Sequence, residues 1–226
     1  MMHPWDVTVE EAIALQQQLR SLVQPTRSFE IDQISTVAGV DAAYAEQPRA
    51  AVVVLSYPDL RPIEHAQATR DTAFPYVPGL LSFREVPVVL DALAKLRTTP
   101  DLLIADGQGI AHPRRFGLAC HLGVITGLPA IGCAKSRLTG HFDEPGPNPG
   151  ATTPLRDRGE IIGTVVRTKV RTRPLFISIG HKIDLETAVK IVLSCVRGYR
   201  LPEPTRLADR LSRQKEDQGG TGDAKP

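Results

Sequence analysis

Leu102-Leu103-Ile104-Ala105-Asp106-Gly107-Gln108-Gly109 is a short apolar run that ends on a carboxylate and a glycine turn. Val37-Ala38-Gly39-Val40-Asp41 has the same form earlier in the chain. A carboxylate at the end of a buried strand is costly unless something pairs with it. Two such groups side by side, with no neighbouring Lys or Arg in sequence, would repel and raise each other's pKa. A divalent cation is the simplest resolution. Asp and Glu oxygens without a Cys/His cluster suit Mg²⁺ or Mn²⁺ and not Zn²⁺. The pattern points to metal-dependent phosphoryl transfer.

Outward from these runs, the chain reads as an α/β domain. Thr8 to Gln24 is an amphipathic helix opened by a Thr8-x-x-Glu11 capping box, with Ala12, Leu15, Leu19 and Leu22 on one face. Thr36–Tyr44, Ala51–Tyr57 and Ile63–Thr72 are strands joined by short turns, so consecutive antiparallel pairing is expected. Leu80 to Leu96 is largely helical. Either Pro87 starts the regular helix or Ser82 caps an irregular first turn, because proline inside a helix costs about 3 kcal/mol. Leu102–Ala105 and Ala130–Ala134 are buried strands separated by a helix at Gly117–Thr126. The Gly/Pro-rich stretch Glu144–Pro154 reads as a surface loop. Ile161–Val170 and Leu175–Ile179 are late strands, and Leu185–Tyr199 is a helix with Asp184 as N-cap.

The chain has 226 residues and a formal net charge of +2, with a pI near 8.5. That is compatible with nucleic-acid binding without demanding it, so electrostatic arguments must rest on local clusters. No linker divides the chain, and one domain over 1–211 is expected. The polar stretch 212–226 is expected to be a disordered tail. Cys120, Cys133 and Cys195 lack CxxC spacing and sit in apolar segments, which suits reduced thiols in a cytoplasmic protein. No secretory pattern opens the chain and no apolar run would span a membrane.

Several blocks, in order, resemble the endonuclease V family of deoxyinosine 3′ endonucleases. They are VAGVD (37–41), PYVPG (75–79) with SFRE (82–85), DGQGIAHPRRFG (106–117), IGCAKSRL (131–138), PLFISIGHKIDLETA (174–188) and GYRLPEPTR (198–206). The resemblance runs from about Asp32 to Asp209. It implies an RNase H-like fold, a mixed sheet with a five-stranded core and helices on both faces. The predicted element order agrees, and in that layout Asp41 and Asp106 end neighbouring strands. The resemblance implies a Mg²⁺ cofactor, for which Mn²⁺ can substitute, and DNA containing deoxyinosine as partner. It implies cleavage of the second phosphodiester bond 3′ to the lesion, leaving 3′-hydroxyl and 5′-phosphate ends. A monomer without membrane association is expected. Many members read DGHG where this chain has Gln108, so no acid–base role is assigned there.

The catalytic set expected on this basis is Asp41, Glu85, Asp106, Lys135 and His112, with Asp41 and Asp106 as metal ligands. Glu85 alone fits a capping box with Ser82 equally well; the resemblance makes it a third carboxylate. Lys135 follows the strand next to Asp106 and would steady charge on the phosphate. His112 is a general-acid candidate, against a structural role. Asp209, in Arg206-Leu207-Ala208-Asp209, is either a fourth metal-site residue from a late helix or a surface aspartate.

Nucleic-acid contacts are expected from Tyr76, Pro78, Gly79, Leu81, Gly109, Arg114 and Arg115. Tyr76, on a loop stiffened by prolines, would be a wedge that fills the gap left by a flipped base. Leu80 would join Gly79 and Leu81 at the base pocket. Gly107 and Gly109 would let backbone approach a ligand, and Arg114 and Arg115 would contact phosphates. Arg167, Lys169, Arg171 and Arg173 recur at every second residue. They would share a strand face, as edge protection or as a phosphate-tracking stripe. The leading function is a deoxyinosine-specific DNA endonuclease. An inosine-specific endoribonuclease is the near alternative, and a non-catalytic lesion-binding module is the alternative from another class. Three clustered acids argue against the last.

Overall fold

The computed structural model describes residues 3–44 and 47–214. Strands β1 (Thr36–Tyr44), β2 (Pro48–Ser56), β3 (Pro62–Thr69), β4 (Leu102–Ala105), β5 (Ala130–Ala134), β6 (Thr152–Asp157), β7 (Glu160–Val166) and β8 (Leu175–His181) form one sheet. Their spatial order is β3-β2-β1-β4-β5-β8-β7-β6. β1, β4 and β5 run parallel, and every other neighbouring pair is antiparallel. This is the expected α/β mixed sheet of an RNase H-like fold, with three strands beyond the five-stranded core. Helices α1 (Val9–Leu19), α2 (Ser82–Leu93), α3 (Leu118–Thr126), α4 (Leu185–Ser194) and α5 (Glu203–Ser212) complete it.

Alternation along the central strands builds a core on each face. Val37, Leu102 and Ile104 point to one side, against Ala188, Ile191 and Val192 of α4 and Ala208 of α5. Ala38, Val40, Leu103 and Ala105 point to the other, against Val86 and Val89 of α2 and Ala119 and Leu122 of α3. These central strands are buried on both faces, as parallel strands under helices must be. Asp41 shares the face of Val37 and Gly39 by the same period. A Cβ at Gly39 would sit 2.0 Å from the Pro204 carbonyl oxygen. The glycine lets α5 lie directly on β1 and brings its last turn over Asp41.

Several elements depart from the sequence reading. The helices read to Gln24 and to Tyr199 end at Leu19 and Ser194. β6 occupies the end of the segment read as a loop, and His141 extends it by a bridge to Arg156. The strand read through Val170 stops at Val166. Residues 167–173 turn instead, with Arg171 at φ +57°, so the alternating basic residues do not share a strand face. α2 starts at Ser82 and runs through Pro87, so neither expected start applies. Ser82 does not cap it; its hydroxyl hydrogen-bonds His121. Ser212, read as the start of the tail, closes α5 and is buried. Residues 215–226 of that expected tail lie outside the described residues. The capping boxes and caps at Thr8 and Asp184 form as expected.

Candidate active site

Val40 pairs with Ala105 in the parallel ladder, and the Asp106 amide donates to the Val40 carbonyl at 2.8 Å. The next positions are therefore neighbours: Asp41 lies within β1, just past its parallel pairing with β4, and Asp106 lies just past the end of β4. One oxygen each from Asp41, Asp106 and Asp209 lies within 4.8 Å of the others. Asp209 comes from α5, so of its two readings the structure supports membership of the cluster. Glu85 is not in that triad. It is buried in the first turn of α2 and lines the same cleft as Asp106.

The triad is held from several sides. The Ser212 hydroxyl donates to Asp41 Oδ2 at 2.5 Å. Arg213 donates to Asp209 Oδ1 at 2.8 Å. The Lys135 ammonium, just past the end of β5, sits between Asp106 Oδ2 and Asp209 Oδ1. Burial pushes the Asp106 carboxyl up to about 7, against the pull of Lys135 and with reinforcement from Asp41. Asp209 feels burial too, but its bond to Lys135 and the Arg213 charge outweigh it and hold its pKa low. Burial works against the Lys135 charge, yet Asp106 and Asp209 more than offset it and the pKa rises.

Would a divalent cation suit these residues? Asp106 Oδ2 is buried and accepts no well-directed hydrogen bond, although Lys135 stands against it. It has a lone pair to offer. All three donors are carboxylate oxygens, the set that hard cations such as Mg²⁺ and Mn²⁺ prefer. The residues fit such an ion.

Beside the triad opens a cleft of about 410 Å³. Tyr76, Pro78, Gly79 and Leu81 form one side, and Asp106, Gly107, Gln108 and Lys135 also line it. Leu80 is buried beneath, in the small core that includes Phe83. Tyr76 is 64% exposed, which an aromatic packed under its own loop would not be. Leu138, 43% exposed, lines the same cleft. Nothing in the sequence marked Leu138 apart from its place in a matched block. Gln108 donates from Nε2 to the Ser136 carbonyl at 2.8 Å, tying the glycine turn to the loop after β5.

Gln16 is a second residue the sequence did not reveal. It is buried on α1, and its amide donates to the carbonyls of Gly79 (3.0 Å) and Phe116 (3.1 Å). Its Oε1 accepts from Arg114 Nε. The Gly79 carbonyl also accepts from His112 Nε2 at 2.9 Å and from the Arg114 guanidinium at 2.7 Å. Three donors on one carbonyl fix the tyrosine loop against the loop after β4. A buried glutamine inside a helical pattern carries no sequence mark of its partners.

Four expected residues have partners that favour a structural role. His112 Nε2 bonds Gly79, and its Nδ1 accepts from the Arg114 amide at 3.2 Å. Burial, with Arg114 and Arg115 alongside, lowers its pKa to about 4. A neutral ring with both nitrogens bonded to backbone favours bracing the loop over a general-acid role, although His112 lines the same cleft as Glu85 and Asp106. Arg114 is bound into the Gln16–Gly79 network. Arg115 pairs with Asp157 at 2.8 Å and Glu160 at 3.0 Å, with its side chain only 14% exposed. Arg115 is thus committed to the β6–β7 hairpin and Arg114 to the tyrosine loop, which weighs against both as phosphate contacts. Gly109 lies away from the cleft. A Cβ there would stand 1.9 Å from the Ile179 carbonyl oxygen, so the residue serves packing against β8.

Acids gathered from two adjacent parallel strands and a late helix, a lysine between them and an exposed aromatic over a cleft define a nuclease of the RNase H-like class. A sequence model described as Endonuclease V matches residues 17–210. Endonuclease V of Roseiflexus castenholzii is 54% identical over 213 residues, covering 94% of this chain and 95% of that protein. The crystal structure of Endonuclease V from Streptomyces avermitilis is 45% identical with a TM-score of 0.87, covering 92% of this chain and 93% of that one. Ciona intestinalis Endonuclease V (D234N) is 29% identical with a TM-score of 0.80, covering 92% of this chain and 97% of that one. Its crystal structure is a complex with a 23mer DNA containing an inosine followed by a ribo-adenosine. The chain belongs to the endonuclease V family and is a nuclease. No helix among the described residues is long and apolar enough to cross a membrane.

Proposed function

We propose that this protein is a Mg²⁺-dependent endonuclease for deaminated bases, chiefly deoxyinosine in DNA. It would hydrolyse the second phosphodiester bond 3′ to the lesion, leaving 3′-hydroxyl and 5′-phosphate ends. The observation that carries the reading is the shared cleft: Tyr76 and Gly79 line the same cavity as Glu85, Asp106 and Lys135. A base lifted from its stack into that cavity keeps its own strand beside the acids. The complex of the Ciona relative with inosine-containing DNA supports the same substrate class.

Asp41, Asp106 and Asp209 would hold the cation. The chemistry it supplies when bound is polarisation of the phosphate and acidification of water. Glu85, buried in the same cleft, takes the proton of the attacking water. The water oxygen bonds to phosphorus, the bond from phosphorus to the 3′ oxygen breaks, and that oxygen leaves as the 3′-hydroxyl after taking a proton from solvent water. Lys135 turns from the carboxylates to the charge that builds on the phosphoryl oxygens. Ser212 keeps the Asp41 carboxylate oriented. Tyr76 fills the space vacated by the base, which repays part of the few kcal/mol spent on unstacking.

One observation favours a second reading, cleavage at inosine in RNA: the oligonucleotide bound to the Ciona relative carries a ribonucleotide after its inosine. Matched DNA and RNA strands with one inosine test both readings. Nicking of the DNA strand in Mg²⁺ and Mn²⁺, binding alone in Ca²⁺, and no nicking in EDTA are expected. Cleavage confined to RNA would replace the DNA reading with the ribonuclease one, and full cleavage in EDTA would sink both.

A further inference from the structure

Beyond Lys135 the same sheet edge carries a second cleft, of about 480 Å³. It shares Lys135, Ser136 and Arg137 with the first, so the loop after β5 is a wall common to both. Strand order puts it on the far side of Lys135 from Asp41, since β8 follows β5 in the sheet. Phe142 and Phe176 line it, edge to face at 5.2 Å. The Arg137 guanidinium lies 5.9 Å from the Phe142 ring centroid.

The arginines here fall into two kinds. Arg200 donates to the carbonyls of Lys135 (2.6 Å), Arg173 (2.8 Å) and Pro174 (3.1 Å), stapling the two walls together. Arg167 binds the carbonyls of Pro145 (3.1 Å) and Thr172, and pairs with Glu144 at 2.5 Å. Glu144, an acid on the cleft, is thus neutralised within the wall. Arg137, Arg171 and Arg173 are exposed and make no ion pair among the described residues. Two arginines build the cleft, and three leave their charge facing it.

We propose that this cleft binds the nucleic-acid strand beyond the scissile phosphate, on the side away from the flipped base. Unpaired guanidinium groups beside a partly exposed aromatic, Phe142 backed by the buried Phe176, are the composition that grips a single strand: charge for the backbone and a ring for a base. Continuity through Lys135 leads the strand there directly from the acids. The inference rests on the nuclease reading above. It replaces Arg114 and Arg115 with Arg137, Arg171 and Arg173 as the phosphate contacts.

The test uses the full chain and fluorescein-labelled single strands with one inosine, in Ca²⁺, read by anisotropy. One oligonucleotide ends a single nucleotide past the cut; the other continues for about eight more. The wild type should bind the longer strand about tenfold more tightly. In the Arg171→Ala/Arg173→Ala variant that advantage should shrink toward one. The slope of log affinity against log salt on the longer strand should fall by about 1.4, near 0.7 per lost contact on single strands. Thermal melting of the variant confirms folding. An undiminished advantage in the variant, equal losses on both strands, or no advantage in the wild type would overturn the proposal. A cleft serving an acidic protein segment would give the first of these. Mg²⁺ nicking by the wild type is scored in parallel. Its failure would remove the nuclease reading, while the anisotropy comparison still judges the cleft.

Discussion

The two ends of one sheet edge are built in opposite ways. At β1 and β4, carboxylates are crowded into a buried site, where Asp106 is pushed up to about 7 by desolvation and partly rescued by Lys135. Around the β7–β8 turn, guanidinium groups are left exposed and unpaired on a cleft whose walls other arginines hold. Crowded buried charge is unstable alone and gains from a ligand of opposite sign. Exposed single charges cost little and act by attraction at a distance. The acidic end is suited to chemistry, and the basic end to grip.

The largest effect should follow from emptying the acidic end. Asp41→Ala and Asp106→Ala should each lower cleavage by ~10³-fold or more, since a metal contributes several kcal/mol to the transition state. Their melting temperatures without divalent cations should hold or rise, because removing one carboxylate relieves repulsion at the other. Nicking assays and calorimetry on the same preparations check both statements; near-normal cleavage by either variant would dissolve the contrast. Lys135 stands where the two ends meet. Lys135→Ala should cost about 10²-fold in kcat, the scale of one lost charge-stabilising donor. A loss confined to KM would move it to the gripping end.

The wedge is next. Tyr76→Ala should weaken binding to paired inosine DNA by roughly 1–3 kcal/mol, while Tyr76→Phe keeps most of it. The deficit should shrink on single strands, where less stacking is broken. Equal losses for Ala and Phe would assign the effect to the hydroxyl. Gln16→Ala should act through the same loop. It leaves Arg114 Nε without an acceptor and the Gly79 carbonyl with one donor fewer, a cost of about 1–3 kcal/mol in stability. KM should rise more than kcat falls, and an unchanged KM would leave Gln16 a purely structural glutamine.

The smallest effect on catalysis, though a visible one on stability, concerns buried imidazoles. The His3 ring donates to the Pro4 carbonyl at 2.7 Å, so its other nitrogen accepts from His121 at 2.8 Å, and His121 in turn accepts from Ser82 at 3.0 Å. Burial lowers His121 to about 3 and His112 to about 4, from an ordinary 6.5. The unfolded chain therefore binds protons that the folded one refuses below pH 6.5. The imidazole contribution to stability should fall as pH drops from 6.5 toward 4, by about 2 kcal/mol per ring at pH 5, while Asp106, raised to about 7, acts in the opposite sense over the same range. Melting curves from pH 8 to 4.5 measure this. His121→Gln should flatten the profile, and an equally steep profile would clear His121 of the effect.

What the sequence disclosed follows from where charge meets apolar runs. Asp41 and Asp106 were legible because each closes an apolar run that must be buried, and the adjacency of their strands was implied by element order. β6 was not, because only Leu155 in it is buried and it emerges from a Gly/Pro-rich stretch. That omission hid the pairing of Arg115, whose partners Asp157 and Glu160 lie on the β6–β7 hairpin. α5 is polar on average, with small buried residues such as Ala208, Thr205 and Ser212, and although its apolar residues gather on one face the sequence reading did not assign it as a helix. With it went the distinction between Asp209 in the cluster and Asp209 on the surface. The Arg167–Arg173 alternation mimicked a strand, and only the turn at Arg171 separates the arginines that build from those that bind.

The central claim is that the acidic end is a metal site and the basic end is not part of it. Calorimetric titration of Mn²⁺ into the nucleic-acid-free protein tests it most directly. Saturable binding by the wild type, lost in Asp106→Asn and kept in Arg171→Ala/Arg173→Ala, is the expected result. Equal Mn²⁺ binding by wild type and Asp106→Asn would contradict it.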